Sequence, residues 1–267
     1  MKNSISIISF LLILVINSCT GDFEEINTDP NRIDRISPGT LLNPIIYGVS
    51  SFGTTRADAW TFQLMQVALP FPSAAGGVHR YDISEAAGNS TWNTYYRWLI
   101  NIKEMKEAAI DAGDPNYEAI ALTLNAWVYS QLTDSFGDVP FHEASRAEEG
   151  IFRPKFDTQQ EVYTSILADL EQANGLFDNT RPMLFGEEIL FGNNVTRWRK
   201  FCNSLHLRLL LRVSNRPEMN SFTKMATIVN DPVTYPVFEN TAESAILKIT
   251  GVTPNISPWG RAIDFTT

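Results

Sequence analysis

Cysteine is almost missing from this chain: 267 residues contain only Cys19 and Cys202. One chain therefore cannot build the disulfide framework of a small secreted domain, and two thiols cannot close a structural zinc site. Basic charge is also scarce, with 21 Lys and Arg against 30 Asp and Glu, a formal net charge of -9. Nothing in that balance gathers phosphates, so no nucleic-acid partner is expected. The three histidines, His79, His142 and His206, have no partner at a metal-binding i, i+4 spacing, and no metal or cofactor is expected. His206 falls in a helical stretch and reads as a packed residue. The GxSxG elbow, HExxH, the phosphate-binding glycine loop and GxGxxG are all absent, which removes motif support for hydrolase, zinc-protease and nucleotide-binding readings. Long apolar runs are missing too. A bilayer-crossing helix needs about 20 apolar residues, and no stretch after the N-terminus approaches that length.

What is present is enough apolar material for a sizeable core. Hydrophobic residues make up 44% of the chain and aromatics 11%, which is too much for a disordered polypeptide. At the N-terminus, Lys2 precedes an apolar run from Ile5 to Ile16, broken only by Ser6 and Ser9. This is the pattern of an export signal. It ends in Ile16-Asn17-Ser18-Cys19, which resembles a bacterial lipobox, with an aliphatic residue at minus three and a small one at minus one. The sequence thus predicts a signal peptide over 1–18 and lipidation of Cys19. Three acyl chains on that cysteine would anchor firmly, since each buried CH2 adds about 0.8 kcal/mol. The following residues, 19–36, start small and turn acidic at Asp22, Glu24 and Glu25, and are expected to form the tether.

From residue 37 onward the reading is helical. One or two helices are expected between Ser37 and Leu69, around Leu41, Leu42, Ile45 and Ile46 and then Trp60, Phe62, Leu64 and Val67. Trp92, Tyr95, Leu99, Ile102 and Ala109 fall on one face of a helix from about Thr91 to Ala112, closed by Gly113-Asp114-Pro115. A second stripe of Tyr117, Ile120, Leu124 and Trp127 follows so closely that the two helices must be antiparallel neighbours. Thr158-Gln159-Gln160-Glu161 has the form of a capping box and opens a helix with Val162, Ile166, Leu170 and Ala173 facing inward. Trp198, Phe201, Leu205, Leu209 and Arg212 mark another, closed by Asn215-Arg216-Pro217. Pairs of this kind are like tetratricopeptide units, although their spacing does not reproduce a regular repeat of about 34 residues. Pro70 to Ser90 reads as a long loop of the kind that tends to be functional. Beyond Asp231 the chain turns irregular, with Ala245 to Ile249 expected as one strand. The fold class predicted is all-α, with helical hairpins, long decorating loops and little β structure.

Asp134 and Asp138 are the one carboxylate pair that invites a glycosidase reading, in which two carboxyls about 5 to 9.5 Å apart flank the scissile bond. Their place at a helix end, beside Gly137 and before Pro140, points instead to a turn held by side-chain-to-backbone hydrogen bonds. Trp98 and Trp127, at helical spacing, read as core. Asn89-Ser90-Thr91 has the form of a glycosylation sequon, which carries little weight behind a bacterial lipoprotein signal.

Four segments together resemble a known family. They are Phe23-Glu24-Glu25-Ile26-Asn27-Thr28-Asp29-Pro30-Asn31, Thr133-Asp134-Ser135-Phe136-Gly137-Asp138-Val139-Pro140-Phe141, Phe152-Arg153-Pro154-Lys155-Phe156-Asp157, and Trp198-Arg199-Lys200-Phe201-Cys202-Asn203-Ser204-Leu205 running on to Arg212. In this order, behind a lipobox, they resemble the SusD/RagB group of Bacteroidetes nutrient-binding outer-membrane lipoproteins. The resemblance implies a tetratricopeptide-like helical scaffold and no enzyme activity. It also implies a lipid-anchored surface protein that forms the lid of a SusC-like TonB-dependent transporter and captures oligosaccharides or peptides. Family members continue well past Thr267, so the nutrient-binding domain, 37–267, is expected to be cut short at its C-terminus. A sugar site needs flat apolar faces and planar hydrogen-bonding groups. Arg80, Tyr81, Asn89 and Trp92 supply both in and beside the long loop, in a stretch that contributes glycan contacts in the family. A glycosidase and a helical adapter without ligand are the competing functional classes.

Overall fold

In the computed structural model, residues 36–71, 75–253 and 255–258 are described. The chain divides at Ile36, and the fold below is that of the unit beginning at Ser37. Six helices carry it: α1 (Pro38–Arg56), α2 (Asn89–Asp111), α3 (Pro115–Phe136), α4 (Gln159–Leu176), α5 (Val195–Arg212) and α6 (Ser221–Asn230). α1 runs on through a π-helical turn, Ala57–Thr61, into Phe62–Leu64. The all-α, tetratricopeptide-like reading holds. Among the described residues the β pairing is a single antiparallel bridge between Val139 and Asp157.

The helix starts follow local chemistry. Asp114 caps α3 by accepting from the backbone N–H groups of Asn116 and Tyr117, with Pro115 at a first-turn position where its missing N–H costs nothing. The expected capping box opens α4: Thr158 Oγ1 accepts from Glu161 N at 3.2 Å while Glu161 Oε2 accepts from Thr158 N at 2.8 Å. Such a cap contributes about 1 kcal/mol.

Cross-helix bonds show the directions. Going up α3, Asn116 meets the backbone of Asp178, Asn125 meets Asp169, and Asp134 meets Tyr163, so α3 and α4 run antiparallel. Going up α5, Asn203 meets Asn174, His206 faces Glu171, and Arg212 pairs with the same Asp134 that holds Tyr163, so α4 and α5 are antiparallel too. α3 is the central helix. Its predicted stripe was too narrow: Ala119, Ala121, Leu122, Thr123, Ala126 and Val128 are buried as well, because α2 covers one side and α4 the other. Small residues at Ala119, Ala121 and Ala126 allow both neighbours to approach. α1 packs on α2 through Phe52 edge-on to Tyr95 and through Gly48, where a Cβ would lie 1.9 Å from the Trp98 ring.

Three expectations need correction. Ala245 to Ile249 is not a strand, since among the described residues no partner strand lies beside it to take its hydrogen bonds. The stretch from Pro70 to Ser90 is less irregular than expected: it holds short helical turns at Val78–Arg80 and Glu85–Gly88, and α2 has already begun at Asn89. α6 was missed altogether, being only 10 residues long and largely exposed.

Candidate functional site

The four predicted ligand residues divide into two groups. Arg80 and Tyr81 belong to the turn Val78–Arg80, which is tied back to the end of the first helical segment. Tyr81 Oη donates to Leu64 O at 3.2 Å, and Gln66 Nε2 donates to His79 O at 2.8 Å. Tyr81 takes a left-handed backbone conformation at φ 60° and is 65% exposed. Met65, Val67, Leu69, Phe71 and Ile83 are exposed as well.

Asn89 and Trp92 sit on the first turn of α2. Asn89 is exposed. Trp92 is half-buried, with Thr91 taking the fully inward position that the periodicity had given to Trp92. Its ring is the centre of an aromatic group: Tyr96 at 4.8 Å, Phe136 edge-on at 5.2 Å, and Phe156 stacked at 5.9 Å with 25° between planes. Phe156 is 57% exposed and was missed in the sequence, where it reads only as part of the Phe152 to Asp157 segment. Its spacing from Trp92 along the chain gives no signal for the stack.

Two of the segments that carry the family resemblance, Thr133 to Phe141 and Phe152 to Asp157, hold this corner together, while Phe23 to Asn31 lies outside the described residues. Gly137 ends α3 at φ 75°, ψ -120°, a conformation that side chains disfavour, and Thr133 Oγ1 donates to Gly137 O at 2.6 Å. The chain then bridges through Val139 to Asp157. The Asp157 carboxylate accepts from the backbone N–H groups of Phe141 and His142 at 2.8 and 3.0 Å, with His142 Nδ1 at 2.9 Å from its other oxygen. Burial alone would raise the Asp157 pKa, but these bonds outweigh it and hold the carboxyl below its ordinary range.

Asp134 and Asp138, the pair that invited a glycosidase reading, are each held by other elements of the fold. Asp134 accepts from Tyr163 Oη at 2.8 Å and pairs with Arg212 at 3.0 Å, while Asp138 accepts from Gln159 N at 2.9 Å. Both carboxylates are thus engaged in joining α3 to α4 and α5. The local-turn reading holds for neither carboxylate: the Asp138 bond reaches across to α4, Asp134 bonds to side chains of α4 and α5, and Thr133 with Gly137 does the local work expected of them. Arg212 is an exposed ion-pair partner at the end of α5. Among the described residues no group of His, Cys, Asp and Glu could hold a metal ion. Cys202 is fully buried, and burial pushes its thiol up to about 12. Cys19 lies outside the described residues.

Comparison with known proteins fits this architecture. The sequence profile of the SusD-like family, described as starch-binding and associating with the outer membrane, matches residues 30–267. The chain belongs to the SusD-like family. Solved structures agree on the fold. A SusD homologue from Bacteroides fragilis NCTC 9343 superposes with a TM-score of 0.66 at 24% identity, covering 81% of this chain and 44% of that one. A SusD-like protein from Bacteroidetes gives a TM-score of 0.66 at 26% identity, covering 80% and 39%. A chitin-binding protein gives 0.66 at 19% identity, covering 80% and 46%. The SusD-like chain spans less than half the length of each of these structures. No curated protein matches it. No helix among the described residues is long and apolar enough to cross a membrane.

Proposed function

We propose that this SusD-like chain is a glycan-binding, lipid-anchored protein of the outer cell surface, acting as the lid of a SusC-like TonB-dependent transporter. The observation that carries the reading is the match of residues 30–267 to a family described as starch-binding and associating with the outer membrane. The likeness to a chitin-binding protein supports a polysaccharide over a peptide. Arg80, Tyr81, Asn89 and Trp92, joined by Phe156, are the residues proposed to meet the sugar. Tyr81 and Phe156 offer exposed ring faces for the CH face of a pyranose, and Arg80 and Asn89 bring hydrogen-bonding groups for its hydroxyl edge. Binding requires no proton shuttle, and the two carboxylates that could have supplied one are committed to structure.

Calorimetric titration with malto-oligosaccharides and chito-oligosaccharides tests the ligand class. Measurable binding to one series is expected, and binding of peptides alone would overturn the glycan reading. The anchor is tested separately. Cys19→Ala is expected to abolish acyl labelling and to release the protein from the membrane fraction or leave it unprocessed. Labelling that persists in the variant would contradict lipidation at Cys19.

A further inference from the structure

A groove of about 580 Å³ runs along α2, α3 and α4 under the 141–149 loop, and none of the residues proposed for glycan binding lines it. Three polar groups lie together on its lining. Asn125 and Tyr129 are one turn apart on α3, and Asp169 comes from α4. Asn125 Nδ2 donates to Asp169 Oδ2 at 3.1 Å. That is the one bond the carboxylate receives among the described residues, and no cation there pairs with it. The second Asp169 oxygen, the Asn125 carbonyl and the Tyr129 hydroxyl have no partner among the described residues, and none is fully buried.

The nearby charges do not supply the missing counter-ion. On α2, Lys103 donates to Ser145 O at 2.9 Å and lies 3.7 Å from Glu107. In the loop, Arg146 is paired with Glu149, and His142 directs Nδ1 at Asp157. Lys106 and His142 act on Asp169 only from beyond ion-pair distance, and burial, the larger effect, holds its carboxyl above the ordinary range. A half-buried carboxylate with spare acceptors beside it calls for a donor that also carries positive charge. A primary ammonium brings three N–H donors and that charge on one atom, whereas a sugar hydroxyl brings one donor and none. Leu99, Ile102 and Leu122 form an apolar wall for the carbon skeleton behind it. Stacked helical hairpins commonly present such concave surfaces to ligands.

We propose that Asn125, Tyr129 and Asp169 form a second binding site, which takes the primary ammonium group of a small ligand. The 267-residue chain is titrated near neutral pH with glucosamine, N-acetylglucosamine and n-butylamine. Glucosamine is expected to bind roughly tenfold or more tightly than its acetylated form, to compete with n-butylamine, and to lose a similar factor in Asp169→Asn. Glucosamine binding more tightly than n-butylamine assigns the site to amino sugars, and equal binding assigns it to amines in general. Both results keep the ammonium. Should Asp169→Asn fail to fold, the side-chain amide resonances of Asn125 in the unmutated chain decide: they should move with glucosamine and stay with N-acetylglucosamine. Equal affinity for the acetylated and free amine, or amine binding that leaves the Asn125 amide unmoved, would overturn the proposal. The Asn125 amide reports this groove alone, so N-acetylglucosamine taken up at the glycan site, whose residues do not line the groove, leaves that readout unmoved.

Discussion

Asp157→Ala is expected to lower stability by about 3 to 5 kcal/mol, since hydrogen bonds to a charged group contribute about 1.5 to 3 kcal/mol each and a buried donor left unpaired costs about 1 to 3 kcal/mol. The side chain is 8% exposed and receives the backbone N–H groups of Phe141 and His142 as well as the His142 ring. Alanine leaves both backbone donors without an acceptor and frees the segment that the Val139 bridge aligns. Asp157→Asn keeps one acceptor oxygen and should cost clearly less. Because the folded carboxyl titrates below its ordinary value, its contribution is present above that value and is lost as the pH falls through the lowered one. Urea unfolding of the two variants and the parent checks this. Equal midpoints for parent and Asp157→Ala would show that the corner does not depend on the carboxylate.

Mild acid should weaken the fold through a second buried group. His206 has a side chain only 5% exposed, and burial lowers its pKa to about 4. Glu171, 3.9 Å away and half in solvent, pulls the other way and loses, while Lys224 adds to the lowering. His206 is therefore neutral in the folded protein, and its contact with Glu171 is not an ion pair at neutral pH. The unfolded chain takes up this proton near the ordinary histidine value of about 6.5, the folded chain only near 4. Between those two values the unfolded state holds more protons, so stability falls as the pH falls across the window and loses nothing further below it. At about 1.36 kcal/mol per pKa unit the loss approaches about 3 kcal/mol. His206→Leu removes the proton site, so the parent's stability should fall more steeply than the variant's from pH 7 to 4. Parallel curves for the two proteins would refute the assignment.

Much of the scaffold was legible because its signals are local. Thr158 and Glu161 specify a helix start within one turn, Asp114 and Pro115 specify another, and Val162, Ile166, Leu170 and Ala173 show the period of a half-buried helix. Where burial extends round the helix, as in α3, a stripe pattern understates it, since Ala121, Thr123 and Ala126 are not the residues that a period of large side chains picks out. Ala245 to Ile249 has strand composition, but a strand also needs a neighbour, and that is not encoded in the segment. The candidate sites were less legible for the same reason. Tyr81 and Asn89 could be chosen from residue type beside a loop, whereas the Phe156 ring over Trp92 and the Asp169 carboxylate beside Asn125 are juxtapositions made by the packing of distant segments.

Tyr81 and Trp92 are both proposed to meet the glycan, and oligosaccharide affinity paired with thermal melting for the parent, Tyr81→Ala and Trp92→Ala measures this directly. Truncating an aromatic that anchors a ligand commonly costs about 2 kcal/mol, roughly a thirtyfold loss of affinity. Tyr81, an exposed residue, should lose that affinity at an unchanged melting temperature, whereas Trp92, packed on Tyr96 and Phe136, should lose affinity and melt earlier. A parent chain that binds oligosaccharide, with both variants binding as tightly as the parent, would place the site elsewhere and contradict the account.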